Sequence, residues 1–102
     1  MTLNQCDSES LRLFITQAVQ DVVFCGLIYP DDRLRSTLNM SSDQVWGVVE
    51  FMDERFLEST YSEGLSEVEY INMRELLDYH LEWDSTWNTF MYDLIYMAKN
   101  ND

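Results

Sequence analysis

The chain has 102 residues, of which 46% are hydrophobic and 14% aromatic, and its nineteen acids and six bases give a formal charge of −13. A single domain of this length can bury enough apolar surface to fold alone, and the composition excludes a disordered chain. A negative field of this strength disfavours direct contact with nucleic acid or anionic lipid and attracts basic partners.

Three glycines and one proline leave few breaks, which favours long helices. Asp7 or Ser8 can cap a first helix running to about Ile28, with Leu11, Phe14, Ala18, Val19, Val22 and Val23 at three- and four-residue steps. Leu13, Phe24 and Leu27 widen that stripe, and Tyr29-Pro30 closes the helix because the residue before proline avoids helical geometry. Asp31 and Asp32 then open a short helix to about Leu38. A turn at Leu38-Asn39-Met40 leads into a third helix from Ser41 to about Glu58, with Ser41 and Gln44 spaced as a capping box. The stretch STYSEG at 59–64 reads as a loop. Ser66 and Glu69 form a second capping box for a helix to about Glu82. Asp84 or Ser85 can cap a last helix with Trp87, Phe90, Met91, Leu94, Ile95 and Ala98 on one face; alternatively the last two helices run on as one. The expected fold is all-α, a single compact bundle of four to five helices with a helix-turn-helix-like hairpin near 31–58.

The second arm of such a hairpin enters the major groove in DNA readers, with basic flanks on the phosphates. Here it is acidic. At about 100° per residue, Val45, Val48, Val49, Met52 and Phe56 form the core arc, and Asp43, Glu50, Glu54 and Glu58 gather on the opposite side around Gly47. Trp46 and Leu57 flank that row, and Phe51 lies beyond its other edge. The next helix repeats the pattern, with Tyr70, Met73, Leu76, Leu77 and Leu81 inward and Glu67, Glu75, Asp78 and Glu82 outward, bordered by Tyr79 and Trp83. Residues 41–84 hold twelve acids and two bases, a net −10 of the total −13. Tyr92 and Tyr96 form a second stripe on the last helix, for which burial on both sides is expected.

Chemistry-bearing motifs are sparse. Cys6 and Cys25 are too few for a disulfide framework and lack metal-ligand spacing, and Cys25 in its apolar run reads as a small buried thiol. His80 falls inside the apolar arc of its helix, the setting of a core histidine. No catalytic residue, metal site or cofactor is expected. Glu50-x-x-Asp53 and Glu75-x-x-Asp78 place paired carboxylates one turn apart on two helices, a layout that resembles the all-α nucleotide pyrophosphohydrolases of the MazG type. That resemblance covers four positions, and the first pair ends in Asp53 where the family usually has Glu. It implies Mg²⁺-dependent hydrolysis of nucleoside triphosphates, with Arg55 and Arg74 as the nearest bases.

The leading expectation is a small acidic binding protein that occludes the basic surface of a nuclease or other nucleic-acid-binding partner. Such a protein is either a toxin immunity protein or a phage-type DNA-mimic anti-defence inhibitor. Its contact residues would be Asp43, Trp46, Glu50, Asp53, Glu54, Leu57, Glu58, Glu75, Asp78 and Glu82. The alternative is a helical adaptor that uses the helix-turn-helix-like unit for protein contacts or dimerisation, the dimer being built on Tyr92 and Tyr96. With no signal peptide in MTLNQCDSES and no membrane-length apolar run, the expected location is the cytoplasm.

Overall fold

The computed structural model describes residues 7–58 and 64–100, and in them the chain folds into four helices: α1 (Ser8–Val23), α2 (Ser42–Glu58), α3 (Glu67–Glu82) and α4 (Trp87–Asn100). α2 packs against α1 and α3, and α4 closes the bundle against α3 and α1 more lightly. The bundle is all-α as expected. Of the expected loop at 59–64, only Gly64 is among the described residues, and Cys6 also lies outside them.

Local chemistry sets most helix starts. The Asp7 carboxylate accepts the Ser10 N–H at 2.7 Å and caps α1. Ser66 and Glu69 make the full reciprocal box at α3, Ser66 Oγ accepting the Glu69 N–H and Glu69 Oε1 accepting the Ser66 N–H. At α2 the Ser41 N–H donates to Gln44 Oε1 at 2.8 Å. The cap of α4 is Thr86, one residue beyond the expected pair: its Oγ1 accepts the Thr89 N–H at 3.3 Å. Asp53 ties α2 to the entry of α3 through Oδ1, which accepts the Leu65 N–H at 2.7 Å. Gly64 sits at φ +68 against that carboxylate, where a Cβ would stand 2.7 Å from Asp53 Oδ1, so both backbone and space require glycine.

α1 stops five residues earlier than the proline implies. Phe24 takes a left-handed conformation at φ 56, and Gln20 Nε2 donates to the Gly26 carbonyl at 3.0 Å. The widened stripe is therefore wrong: Leu13, Phe24 and Leu27 lie on the surface, because the helix that would have turned the last two inward has already ended.

The expected short helix at 31–38 is a series of turns. Its local bonds close only short turns, the Thr37 and Leu38 N–H groups both donating to the Arg33 carbonyl. Its other bonds cross the chain: the Leu34 N–H donates to the Ser85 carbonyl, and the Asp32 and Pro30 carbonyls accept from Trp87 and Asn88. Asp84 holds this segment from the far side of the chain. Its Oδ1 accepts the Arg35 and Ser36 N–H groups at 2.9 and 3.0 Å, and its Oδ2 accepts the Ser36 hydroxyl at 2.6 Å. Asp84 itself lies at φ 52, which separates α3 from α4 and rules out one continuous helix.

These donors, Ser36 first, hold the Asp84 carboxyl down at about 2, against an ordinary 3.8. A depressed folded-state pKa contributes stability that is complete above pH 4 and is lost as pH falls through 2. Thermal melts of the wild type and Asp84→Asn should therefore differ at neutral pH and converge between pH 4 and 2. A gap that persists unchanged to pH 2 would refute the ionised clamp.

The core runs through the bundle from Leu11, Ile15, Ala18 and Val19 on α1, through Val45, Val48, Val49, Met52 and Phe56, to Met73, Leu77 and Leu81 and to Phe90, Met91, Leu94 and Ala98. Leu34, Leu38 and Met40 plug its end from the turn segment. Asn39 at φ 58 makes the tight turn between Leu38 and Met40. Cys25 is partly buried, and that burial raises the pKa of its thiol, so the buried thiol read from its apolar run forms only in part. No helix among the described residues is long and apolar enough to cross a membrane.

Candidate functional site: the acidic faces of α2 and α3

α2 and α3 run antiparallel in a register that sets Leu57 beside Gly64, Asp53 beside Leu65 and Trp46 beside Arg74. The core arc of α2 turns inward as the sequence implies, which leaves Asp43, Glu50, Glu54 and Glu58 on the surface. Asp43 also lies in the first turn, where the helix dipole favours a carboxylate. Glu54 and Glu58 share a shallow depression with Asp21, Phe51 and Arg55. There the Arg55 guanidinium lies 5.3 Å from the Phe51 ring centre, 3.8 Å from Glu58 and 3.3 Å from the Gln17 side-chain oxygen. That end of the row is partly neutralised.

The flanking residues separate into two kinds. Trp46 is 44% exposed, and its ring lies under the Arg74 guanidinium at 3.6 Å and 6.2 Å from the Tyr70 ring. It packs on α3, not beneath the turn segment. The Tyr70 phenol is pushed up by burial first and then by the nearby charges of Glu50 and Asp53. A seam of Trp46, Tyr70 and Arg74 therefore runs between the acidic row of α2 and that of α3. Asp53, held on the Leu65 amide, is a structural anchor, whereas Leu57 is more than half exposed.

On α3, Glu75 and Glu82 are exposed and Asp78 is half-buried. Asp78 and Glu82 line a second depression with Arg35, Met40, Ser41, Ser42 and Leu81. The outer side of α3 is also apolar in a way the sequence reading missed. Val68 and Ile71 are exposed together with Tyr79 and Trp83, whose rings lie 6.4 Å apart. The available signal was Val68 and Ile71 standing outside the core arc, on the same side as Glu67 and Glu75.

The two carboxylate pairs of the MazG-like layout do not converge. Glu50 lies near Tyr70, so Glu75 and Asp78 fall five and eight residues farther along α3, about 8 and 12 Å at 1.5 Å per residue. Among the described residues no group of three or more His, Cys, Asp or Glu is placed to hold a metal ion.

His80 makes a polar network in the interior. Its ring is 2% exposed, with Nδ1 2.7 Å from Ser85 Oγ and Nε2 2.7 Å from Asp93 Oδ2. The tautomer that satisfies both donates Nε2–H to Asp93 and accepts the Ser85 hydroxyl at Nδ1. The order Ser–His–Asp is that of a nucleophilic relay, and the ring that links the two side chains is enclosed by the Tyr79 and Phe90 rings. These bonds tie the end of α3 to the corner before α4 and to the middle of α4. His80 was expected in the core; neither partner shares its helix.

The fold and these faces define a small all-α domain whose chemistry is surface charge with exposed aromatics. Compared with protein-family models, curated proteins and solved structures, the chain matches none.

Proposed function

We propose that this protein binds the basic, nucleic-acid-contacting surface of a partner protein and blocks it by occlusion, as a toxin immunity protein or a DNA-mimic anti-defence inhibitor does. One observation carries the reading: the net −10 of residues 41–84 is borne chiefly by the outer faces of two adjacent helices, with Tyr79 and Trp83 exposed beside the acids. Carboxylates in such rows offer a basic surface what a phosphate backbone offers it. They steer encounter at rates that fall with salt, while aromatic anchors set the residence time. The contact set is Asp43, Glu50, Glu54, Glu58, Glu75, Asp78 and Glu82, with Trp46 and Leu57 at its edge.

The test is retention of lysate proteins on the immobilised chain, followed by elution with duplex DNA or with salt. Proteins released by both, and not retained by a Glu50→Lys/Glu54→Lys/Asp78→Lys variant, support the reading; retention that ignores DNA and the variant overturns it.

A second reading has its own observation. Tyr92 and Tyr96 are 69% and 64% exposed on α4, not buried as their stripe implied, and this exposure supports a reading in which the face takes a second copy of the chain. Sedimentation at high salt separates the two, because a dimer on this face persists where an electrostatic complex weakens.

A further inference from the structure

α3 presents two parallel rows to solvent. One consists of Val68, Tyr79 and Trp83, with the half-buried Asn72 and Leu76 between them and Leu76 packed against the core. The other runs beside it at steps of four, four, three and four: Glu67, Ile71, Glu75, Asp78 and Glu82. Steps of three and four are those by which one helix lays its side chains along another.

Val68 is 62% exposed, Tyr79 55% and Trp83 69%, on a helix whose opposite side is already committed to the core. A helix apolar on both sides is ordinarily covered on both. α3 packs firmly on α2 and only lightly on α4, which leaves this flank open. Its one arginine, Arg74, lies over Trp46 on the α2 side. The acidic row also keeps like charges at three- and four-residue spacing (Glu75 with Asp78, Asp78 with Glu82), an arrangement that disfavours the isolated helix.

We infer that the outer face of α3 is the docking surface for a basic amphipathic helix of the partner. That helix would carry an apolar stripe to cover Val68, Tyr79 and Trp83, with Lys or Arg beside it to meet Glu75, Asp78 and Glu82. Charge complementarity selects this occupant: an apolar helix with an acidic flank would be repelled, and a purely polar basic segment would leave the tyrosine and tryptophan uncovered. The 16 residues of α3 span about 24 Å, which sets the partner segment at roughly four turns. The inference rests on the occlusion reading for the sign of the partner's charge and adds the form of the contact.

The experiment uses the full chain and three synthetic peptides of about 18 residues. The first carries leucines on one helical face flanked by lysines, the second the same residues scrambled around the helix, and the third is oligolysine of equal charge. Binding is followed by calorimetry and by the Trp83 indole resonance. The amphipathic peptide is expected to bind most tightly and to move that resonance. Val68→Ser with Tyr79→Ala, both surface changes checked for folding by circular dichroism, is expected to weaken it about tenfold or more. Equal binding of the scrambled peptide, or of oligolysine as a stand-in for a disordered basic tail, overturns the helix as occupant, and so does binding indifferent to the double variant. If no peptide binds while DNA still elutes retained proteins, the docking inference fails and occlusion stands. If peptides bind and DNA elutes nothing, occlusion fails and the docking face stands.

Discussion

Replacing Phe90 with alanine is expected to lower the free energy of unfolding by about 3–5 kcal/mol, a large share of the roughly 5–15 kcal/mol that holds a small domain. Phe90 is wholly buried, its ring 5.7 Å from Trp87 and 5.8 Å from His80. Truncation therefore removes apolar contact and opens space beside the His80–Ser85–Asp93 network. The His80 ring would lose the edge that excludes water from its bonds to Ser85 and Asp93, so the loss should exceed that from a purely aliphatic neighbourhood. Urea denaturation measures it as a lower midpoint. Tyr92→Ala, two residues along the same helix but 69% exposed, is the control and should stay within about 0.5 kcal/mol of wild type. Equal losses at the two positions would mean that α4 is turned the wrong way.

That contrast marks where sequence periodicity succeeds. Phe90, Met91, Leu94 and Ala98 face inward because apolar residues at three- and four-residue steps specify one helical side, and the same rule recovered the core of α2 and most of that of α3. The Ser66–Glu69 box and the Asp7 cap were legible because all their atoms lie within three residues of each other. What failed depended on distant chain. Residues 31–38 have acids at their start as a helix would, yet Asp84, about fifty residues on, takes the Arg35 and Ser36 amides and fixes turns. No local pattern announces an acceptor supplied from the next helix corner. Phe24 in the left-handed region is a second case, since nothing in its side chain favours that conformation.

The candidate site divides the same way. Helical phase alone put Glu50, Glu54, Glu75 and Glu82 outside, and there they stand. Phase could not show that Asp53 would be drawn onto the Leu65 amide, or that Arg74 would take up the Trp46 ring. It also passed over Val68 and Ile71, because counting the acids on that side hid the apolar residues among them.

Changing Glu75, Asp78 and Glu82 to their amides should make the domain more stable and a worse binder. With a net −13, nearly every added negative charge on this chain is unfavourable to the compact state. The Glu75–Asp78 and Asp78–Glu82 pairs each oppose α3 by a few tenths of a kcal/mol, so the triple variant should melt higher than wild type at low salt. Added salt should raise the wild-type melting temperature more than the variant's, since screening relieves the same repulsion. Association with the basic amphipathic peptide should move the other way. Steering by such a face accelerates encounter by about 10- to 1,000-fold, and stopped-flow mixing at low ionic strength should show the variant losing much of that, with the wild type falling towards it as salt shortens the screening length. The two signs together are the diagnostic. A merely solvated acidic surface predicts the gain in stability and no change in association, whereas a surface kept acidic for a basic partner predicts both; an unchanged association rate would leave the acids of α3 with solubility as their only role.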